Sequence, residues 1–442
     1  MTAVFFRVLR ARSVTVPLDE IGSWYLTAVS IYAVLPLIVF LLVGLEYTPL
    51  NDSRLFSLQP SPDEVGAVGW LYALYMGAFA WTYLATRGPS VQAEPARPVF
   101  PPSTIGIVIA LWAGITLATN VLGTSSGLAG SSGTESGYAM FEQLPLALRQ
   151  GIRLLSGMLM VLTVLLLAWL FSDFKRRRWI IAAWLVLLLV PMLTSVGSRA
   201  MTVLSLIACI MLYHRLVRPL SVRVAIIGGV MGLAVFLALG ILRAFRGAAS
   251  PGDFVVGLHG GEFEALFGNA IDLRARLATG EIHAKPFSFY VGDLLSFLPS
   301  QVLPFQKVDL SDWYIATFYP DAREAGSGFA FGAIAEAVLG WGWFEAVLRG
   351  ALVGYLYARL NVYYRRHGHR MWVTVFHVWM TLWCYNSFRN STFTMVSAIV
   401  QQFIPTMVLV EVARAGLRLL SARHPTRVTS GSARVERAGD GS

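Results

Sequence analysis

Two arginines one helical turn apart form the clearest anion-binding pattern in the sequence. In Arg243-Ala-Phe-Arg246-Gly the two guanidinium groups share one helix face. A guanidinium makes paired hydrogen bonds to phosphate oxygens and stays charged at any working pH. The pair directly follows Val224–Leu242, an apolar stretch long enough to span a membrane. The pattern predicts that Arg243 and Arg246 bind a phosphate-type anion at the membrane edge.

A third arginine lies in a tight turn. Arg199 ends Gly197-Ser198-Arg199, which separates two short apolar stretches. Further candidates for the same anion are Arg323, Arg349 and Arg389. For Arg389 the alternative is that a terminal arginine reaches toward lipid headgroups. For two other arginines, Arg274 and Arg276, the alternative is ion pairing with Asp272 and Glu281.

One carboxylate stands alone in an apolar helix of small residues and is the first candidate for a general base. Glu336 lies in Gly332-Ala-Ile-Ala-Glu336-Ala-Val-Leu, and a base would accept the proton of an attacking hydroxyl. The alternative is that Glu336 is a buried partner of Arg349, thirteen residues further on. His283 and Glu262 follow as candidates, and the sequence does not separate them.

The composition predicts that these groups are held by membrane-spanning helices. Of the 442 residues, 56% are hydrophobic and 14% are charged, and the mean hydropathy is +0.61. A soluble protein carries about 25% charged residues, so this chain is predicted to use lipid as its solvent. The net charge of +10 is attributed to loops that orient the helices, and no nucleic acid is expected as a partner.

Because only helices satisfy every backbone group within one segment in lipid, the fold class is all-α. Ten apolar stretches qualify or nearly qualify as spans. They are Trp24–Leu45, Val65–Thr86, Thr104–Val121, Ile152–Phe171, Trp179–Thr194, Ala200–Tyr213, Val224–Leu242, Trp343–Tyr363, Met371–Phe388 and Phe393–Val412.

The basic residues predict the orientation. With the N-terminus inside, the inner segments hold 22 of the 35 basic residues, which places both termini in the cytoplasm. Residues 1–420 then form one integral membrane domain, with an outer loop at about 243–326 and a disordered basic tail at 421–442. The two cysteines, Cys209 and Cys384, lie in apolar stretches and are predicted to pack in the core. The spans carry almost no ionisable residue at mid-membrane, and the polar residues gather on the outer side.

The chain resembles a known family in one late stretch. Gly326-Ser-Gly-Phe-Ala-Phe-Gly-Ala-Ile-Ala-Glu336-Ala-Val-Leu-Gly340-Trp-Gly342-Trp looks like the Gly-rich stretch before a late span of the Wzy-type O-antigen polymerases, the oligosaccharide repeat-unit polymerases. The Gly197-Ser-Arg199 turn and the Arg243-x-x-Arg246-Gly element are similar to that family's other short signatures, and the layout with a long late outer loop fits as well.

The resemblance implies a metal-independent glycosyltransferase in the plasma (inner) membrane, without a cofactor. It would transfer a growing chain from undecaprenyl pyrophosphate to a new lipid-linked repeat unit, as in making O-antigen or lipopolysaccharide. Arg199, Arg243 and Arg246 would bind the pyrophosphate, and Glu336, Arg199 and Arg246 would be catalytic. Arg323, Arg349, Arg389 and His283 would contact pyrophosphate or glycan. The partners are then lipid-linked glycans and membrane lipids, with a chain-length regulator protein left open.

Two rival functions remain at this point. An O-antigen ligase, or another lipid-linked-sugar transferase, would use the same pyrophosphate site with a different acceptor. A transporter or flippase for polysaccharide lipids would instead need charges along the spans and broken helices in matched halves, and neither is evident in the sequence.

Overall fold

The computed structural model of the chain describes residues 5, 7, 17–43, 61–87, 98–125, 144–194, 199–221, 224, 227–228, 262–285, 294–295, 297–298, 310–320 and 330–423. In these residues the chain forms helices and no β-strand, apart from an isolated bridge between Val99 and Arg370. The predicted all-α class is confirmed. The predicted span Val224–Leu242 and the predicted tail lie almost wholly outside the described residues.

The helices are numbered here in chain order. They are α1 (Ile21–Val43), α2 (Pro62–Arg87), α3 (Pro102–Ser125), α4 (Leu146–Ser172), α5 (Phe174–Thr194), α6 (Arg199–Leu216), α7 (Glu262–Thr279), α8 (Leu310–Phe318), α9 (Ala333–Leu339), α10 (Trp343–His367), α11 (Met371–Trp383), α12 (Asn386–Arg389), α13 (Thr394–Ala398) and α14 (Ile404–Arg423). A π-helical turn, Ile399–Phe403, joins α13 to α14.

Five segments of the described residues are long and apolar enough to cross a membrane. They are Ile21–Ile38, Pro62–Arg87, Ser103–Leu122, Ala147–Ser172 and Thr394–Leu420, and they correspond to five of the ten predicted spans. The predicted ninth span, Met371–Phe388, differs, because α11 ends at Trp383 and the short α12 follows. The other predicted spans remain predictions.

Several large apolar side chains are exposed on the described helices. Trp70, Trp81 and Trp179 expose 71%, 78% and 75% of their surface. Large tryptophans left outside a folded bundle fit a lipid surround, where aromatic side chains favour the membrane interface. The predicted core role of Cys209 and Cys384 is confirmed, since both are buried.

Helices α2 and α10 make the most extensive contact among the described elements. Gly350 of α10 lies against the backbone carbonyl of Tyr75, and Gly354 lies against that of Phe79. From the first contact to the second, the position moves four residues toward the C-terminus on both helices, so α2 and α10 run parallel. Gly350-x-x-x-Gly354 is the small-residue spacing that lets membrane helices approach closely.

The start of α2 shows how the sequence fixes a helix end. Pro62 occupies the first helical position, where its missing N–H is not needed. The Ser61 N–H donates to Glu64 Oε2 at 2.7 Å, and the Glu64 N–H donates to Ser61 Oγ at 3.3 Å. This reciprocal capping box satisfies two N–H groups that the helix itself leaves without acceptors.

The predicted outer loop contributes a helix to the bundle. Helix α7, within the region predicted as a loop at 243–326, packs against α1 and α9. Its residues Leu266, Phe267 and Ile271 are buried in the same core as the long helices. The Asn269 side chain fixes the approach to α9 by donating to the carbonyl oxygen of Ala330 at 2.7 Å.

Candidate functional site

A sharp reversal of the chain brings Glu336 to Arg349. Helix α9 is entirely buried, and the turn Gly340-Trp341-Gly342 leads from its end into α10. Gly342 has a φ of 60°, a left-handed backbone conformation that favours glycine. The turn folds α9 back on the first two turns of α10, so that the Glu336 carboxylate and the Arg349 guanidinium form an ion pair.

Thr392 connects both members of this pair. Arg349 Nη1 donates to Thr392 Oγ1 at 2.6 Å, and that hydroxyl donates to Glu336 Oε2 at 3.1 Å. The backbone N–H of Thr392 donates to the same carboxylate oxygen at 3.3 Å. Glu336 Oε2 is therefore oriented by three groups, from α10 and from the loop after α12.

A second carboxylate, that of Glu345, holds the other side of Arg349. Glu345 Oε1 accepts from Arg349 Nε at 3.0 Å and from Nη2 at 2.6 Å. Glu345 Oε2 accepts the Trp341 N–H at 3.0 Å. A Cβ at Gly340 would lie 1.6 Å from Glu345 Oε2, so glycine at position 340 makes room for this carboxylate.

The network formed by Glu336, Arg349, Glu345 and Thr392 is almost completely buried. Glu336 and Glu345 are each 1% exposed and Arg349 is 2% exposed. Two carboxylates facing one guanidinium give a formal charge of −1 when all three are ionised. A pyrophosphate approaching Arg349 would also meet these carboxylates, so the network suits the orientation of a carboxylate better than the binding of an anion.

Arg389 lies beside this network. It is the last residue of α12, three positions before Thr392, and is half-buried. Its Nη1 donates to Asn390 Oδ1 at 3.4 Å, and the Asn390 carbonyl accepts the Gly332 N–H at 3.1 Å at the start of α9. The structure thus brings three of the predicted residues, Glu336, Arg349 and Arg389, to one end of the bundle.

His283 is exposed and lies two residues before Lys285, whose backbone contacts the end of α9. The Lys285 N–H donates to the carbonyl oxygen of Leu339 at 2.7 Å, which docks the segment after α7 on the end of α9. His283 itself is exposed.

The remaining predicted residues have side chains that lie outside the described part of the chain. Arg199 begins α6, and Glu262 begins α7, but only their backbone positions are described. Arg243, Arg246 and Arg323 lie outside the described residues. Their roles stay predictions.

Arg276 belongs to a separate polar group on α7. Its Nε donates to Asp272 Oδ1 at 2.9 Å, and its Nη1 donates to Glu281 Oε1 at 2.6 Å, so the alternative of simple ion pairing holds for Arg276. Tyr319 donates to Asp272 Oδ2 at 2.7 Å. Burial, together with the hydrogen bond to the Asp272 carboxylate and its charge, raises the pKa of Tyr319 to about 12. Arg274 is exposed, with no described ion-pair partner.

Sequence analysis missed two members of the network. Glu345 lies four residues before Arg349 on one helix, the spacing of an ion pair on a helix face. The sequence therefore does contain a pattern that points to Glu345. Thr392 is 43 residues from Arg349, and no local pattern points to it. Among the described residues, no three His, Cys, Asp or Glu side chains are grouped as metal ligands.

Comparison with protein-family models, curated proteins and solved structures finds no match to the chain. Fold and site together define the class: an all-helical protein with several helices suited to a membrane and a buried charged network at one end of the bundle.

Proposed function

We propose that the protein is a membrane glycosyltransferase that polymerises undecaprenyl-pyrophosphate-linked repeat units into O-antigen or a related surface polysaccharide on the outer face of the plasma membrane. The observation that carries the proposal is the environment of Glu336. The only carboxylate of the polymerase-like stretch is oriented by Arg349 and Thr392, as a general base must be. The stretch ends in the exposed Trp341 and Trp343, residue types that favour a membrane interface.

In the proposed reaction the acceptor hydroxyl oxygen bonds to the anomeric carbon of the donor chain. The bond between that carbon and the pyrophosphate oxygen breaks, and its electron pair leaves with undecaprenyl pyrophosphate. The hydroxyl proton passes to the Glu336 carboxylate. Arg199, Arg243 and Arg246 stabilise the charge that develops on the leaving pyrophosphate.

The test is complementation of a strain that lacks the protein, read from the banding of its surface polysaccharide. Wild type, Arg246→Ala and Glu336→Gln are compared at equal membrane levels, with Arg274→Ala as the matched control on an exposed arginine. We expect single repeat units in the deletion strain, full rescue by wild type and Arg274→Ala, and no rescue by Arg246→Ala. Glu336→Gln keeps the oxygen that Arg349 and Thr392 hold but accepts no proton, and we expect its rate to fall by about 10²–10⁴.

Other band patterns would reject the proposal. Long lipid-linked chains that never become attached would indicate a ligase, and single units trapped inside the cell would indicate a flippase. Normal polymerisation by a stably folded Glu336→Gln variant would leave Glu336 as a structural partner of Arg349 only.

A further inference from the structure

The opposite end of α10 carries a second charged cluster. Glu20, just before α1, accepts from Arg87 Nε at 2.7 Å and from Arg365 Nη2 at 2.6 Å. Tyr83 donates to the other oxygen of Glu20 at 3.0 Å. Three side chains from the ends of α2 and α10 thus share one carboxylate. The basic-residue distribution predicts these ends on the same side of the membrane, in the cytoplasm.

A third arginine joins this cluster from the end of α6. Arg215 Nη1 donates to Asp19 Oδ2 at 3.1 Å, next in the chain to Glu20. Its guanidinium carbon lies 4.3 Å from the centre of the Tyr364 ring, and Tyr364 directly precedes Arg365. We call Arg87, Arg215 and Arg365, with Asp19 and Glu20, the arginine cluster.

The arginine cluster has an excess of positive charge. Three guanidiniums face two carboxylates, which leaves a formal charge of +1. The side chains are largely buried, with 2% of Arg87, 11% of Arg215 and 17% of Arg365 exposed. A buried cation without a full complement of acceptors is costly.

Each of the three arginines also has a buried nitrogen that no described residue accepts from. These nitrogens are Arg87 Nη1, Arg215 Nη2 and Arg365 Nε. The chain before Asp19 contains no acidic residue, but it does contain Arg7, Arg10 and Arg12. The sequence before Asp19 therefore offers further cations and no balancing carboxylate.

We propose that the arginine cluster binds the phosphate group of an anionic membrane phospholipid. Phosphate supplies both the missing negative charge and oxygens that accept several guanidinium N–H groups at once. Basic pockets between membrane helices on the cytoplasmic side are suited to lipid headgroups, since the anionic lipids concentrate there. The bound lipid holds the ends of α2, α6 and α10 together. This role is independent of the network around Glu336 and of any transferase activity.

The test is lipid titration of the full-length protein in detergent, followed by tryptophan fluorescence. Short-chain phosphatidylglycerol, short-chain phosphatidylcholine and inorganic phosphate serve as probes. Wild type is compared with Arg365→Gln, which makes the cluster formally neutral, and with Arg366→Gln, its exposed neighbour, as the matched control. We expect wild type to bind phosphatidylglycerol about tenfold tighter than phosphatidylcholine. Arg365→Gln should lose that preference, and Arg366→Gln should keep it.

Arg215→Gln is a second test on a different helix, and it should lose the same preference for phosphatidylglycerol. The comparison of the two lipids with wild type needs no variant. Equal affinity for the two lipids would overturn the proposal, as would equal weakening by Arg365→Gln and Arg366→Gln. Inorganic phosphate that binds wild type as tightly as phosphatidylglycerol does would mean that the cluster takes a free anion, and would refute a lipid as its ligand.

Discussion

Gly350 lies so close to the backbone of Tyr75 that a Cβ at position 350 would be 2.3 Å from the Tyr75 carbonyl oxygen. The obstacle is backbone, which cannot rotate away as a side chain can. Four residues later the same contact recurs, with 2.6 Å between a Cβ at Gly354 and the Phe79 carbonyl oxygen. The parallel pair α2 and α10, which connects the network around Glu336 to the arginine cluster, depends on these two glycines.

Replacing Gly350 should therefore separate these helices. We expect Gly350→Ala to lower the free energy of unfolding by about 2 kcal/mol, the usual effect of overpacking a well-packed core. The measurement is thermal or denaturant unfolding in detergent micelles. Gly416→Ala is the matched control, because a Cβ at position 416 has no atom within 4 Å. Equal stability of the two variants would contradict the close packing of α2 on α10.

The buried network predicts an order of stability among its variants. Arg349→Gln leaves Glu336 and Glu345 facing each other without a cation, and we expect a loss of about 4 kcal/mol. Glu345→Gln leaves one carboxylate paired with Arg349, and we expect a loss of about 1–2 kcal/mol. Unfolding in mixed micelles measures both. The double variant should lose less than the sum of the two losses, because the residues share hydrogen bonds.

If Arg349→Gln were no less stable than Glu345→Gln, the two carboxylates would not depend on the guanidinium. The same measurement on Glu281→Gln gives the baseline. Glu281 pairs with Arg276 just after α7, but its side chain is 49% exposed, and ion pairs that reach solvent contribute about 0–1 kcal/mol.

The raised pKa of Tyr319 predicts that the protein loses stability at high pH. Its pKa is raised to about 12 in the folded protein, above the ordinary value near 10. The folded state therefore holds the phenol proton more tightly than the unfolded state. The stability that the raised pKa contributes is complete below about pH 10 and is lost as the pH rises through about 12. Wild type should lose its advantage over Tyr319→Phe across that range.

The measurement is the difference in unfolding free energy between wild type and Tyr319→Phe at a series of pH values from neutral to alkaline. Tyr355→Phe, at an exposed tyrosine on α10, is the control. A difference between wild type and Tyr319→Phe that stays constant up to pH 12 would show that the Asp272 hydrogen bond does not hold the phenol proton.

Cysteine labelling tests the predicted orientation. Both native cysteines are buried, so labelling of single introduced cysteines should have a low background. His283→Cys, at an exposed position that is predicted to lie outside, should react with a membrane-impermeant maleimide in intact cells. Arg366→Cys, exposed near the end of α10, should react only after permeabilisation. The reverse pattern would invert the topology, and reaction of both in intact cells would exclude that α10 spans the membrane.

Much of the candidate site could be predicted from residue types and short spacings, but its assembly could not. The sequence leaves the pairing of Glu336 with Arg349 as one of two open interpretations, and the structure shows the contact. The contact depends on the reversal at Gly340-Trp341-Gly342, because residues thirteen apart on a continuous helix would be separated by about 20 Å. The contribution of Thr392 depends on how the loop after α12 packs on α9, for which the sequence carries no local pattern.

The sequence by itself determined the helical class and five long apolar segments, because hydropathy and span length are properties of consecutive residues. It also carried the Gly350-x-x-x-Gly354 spacing. Only the tertiary structure decided which helix lies against those glycines, and that Glu20 is shared by Arg87 and Arg365, 67 and 345 residues away. The physical reason is that a charge needs a partner in a poorly solvated interior, whereas the identity of that partner is fixed by the packing of distant helices.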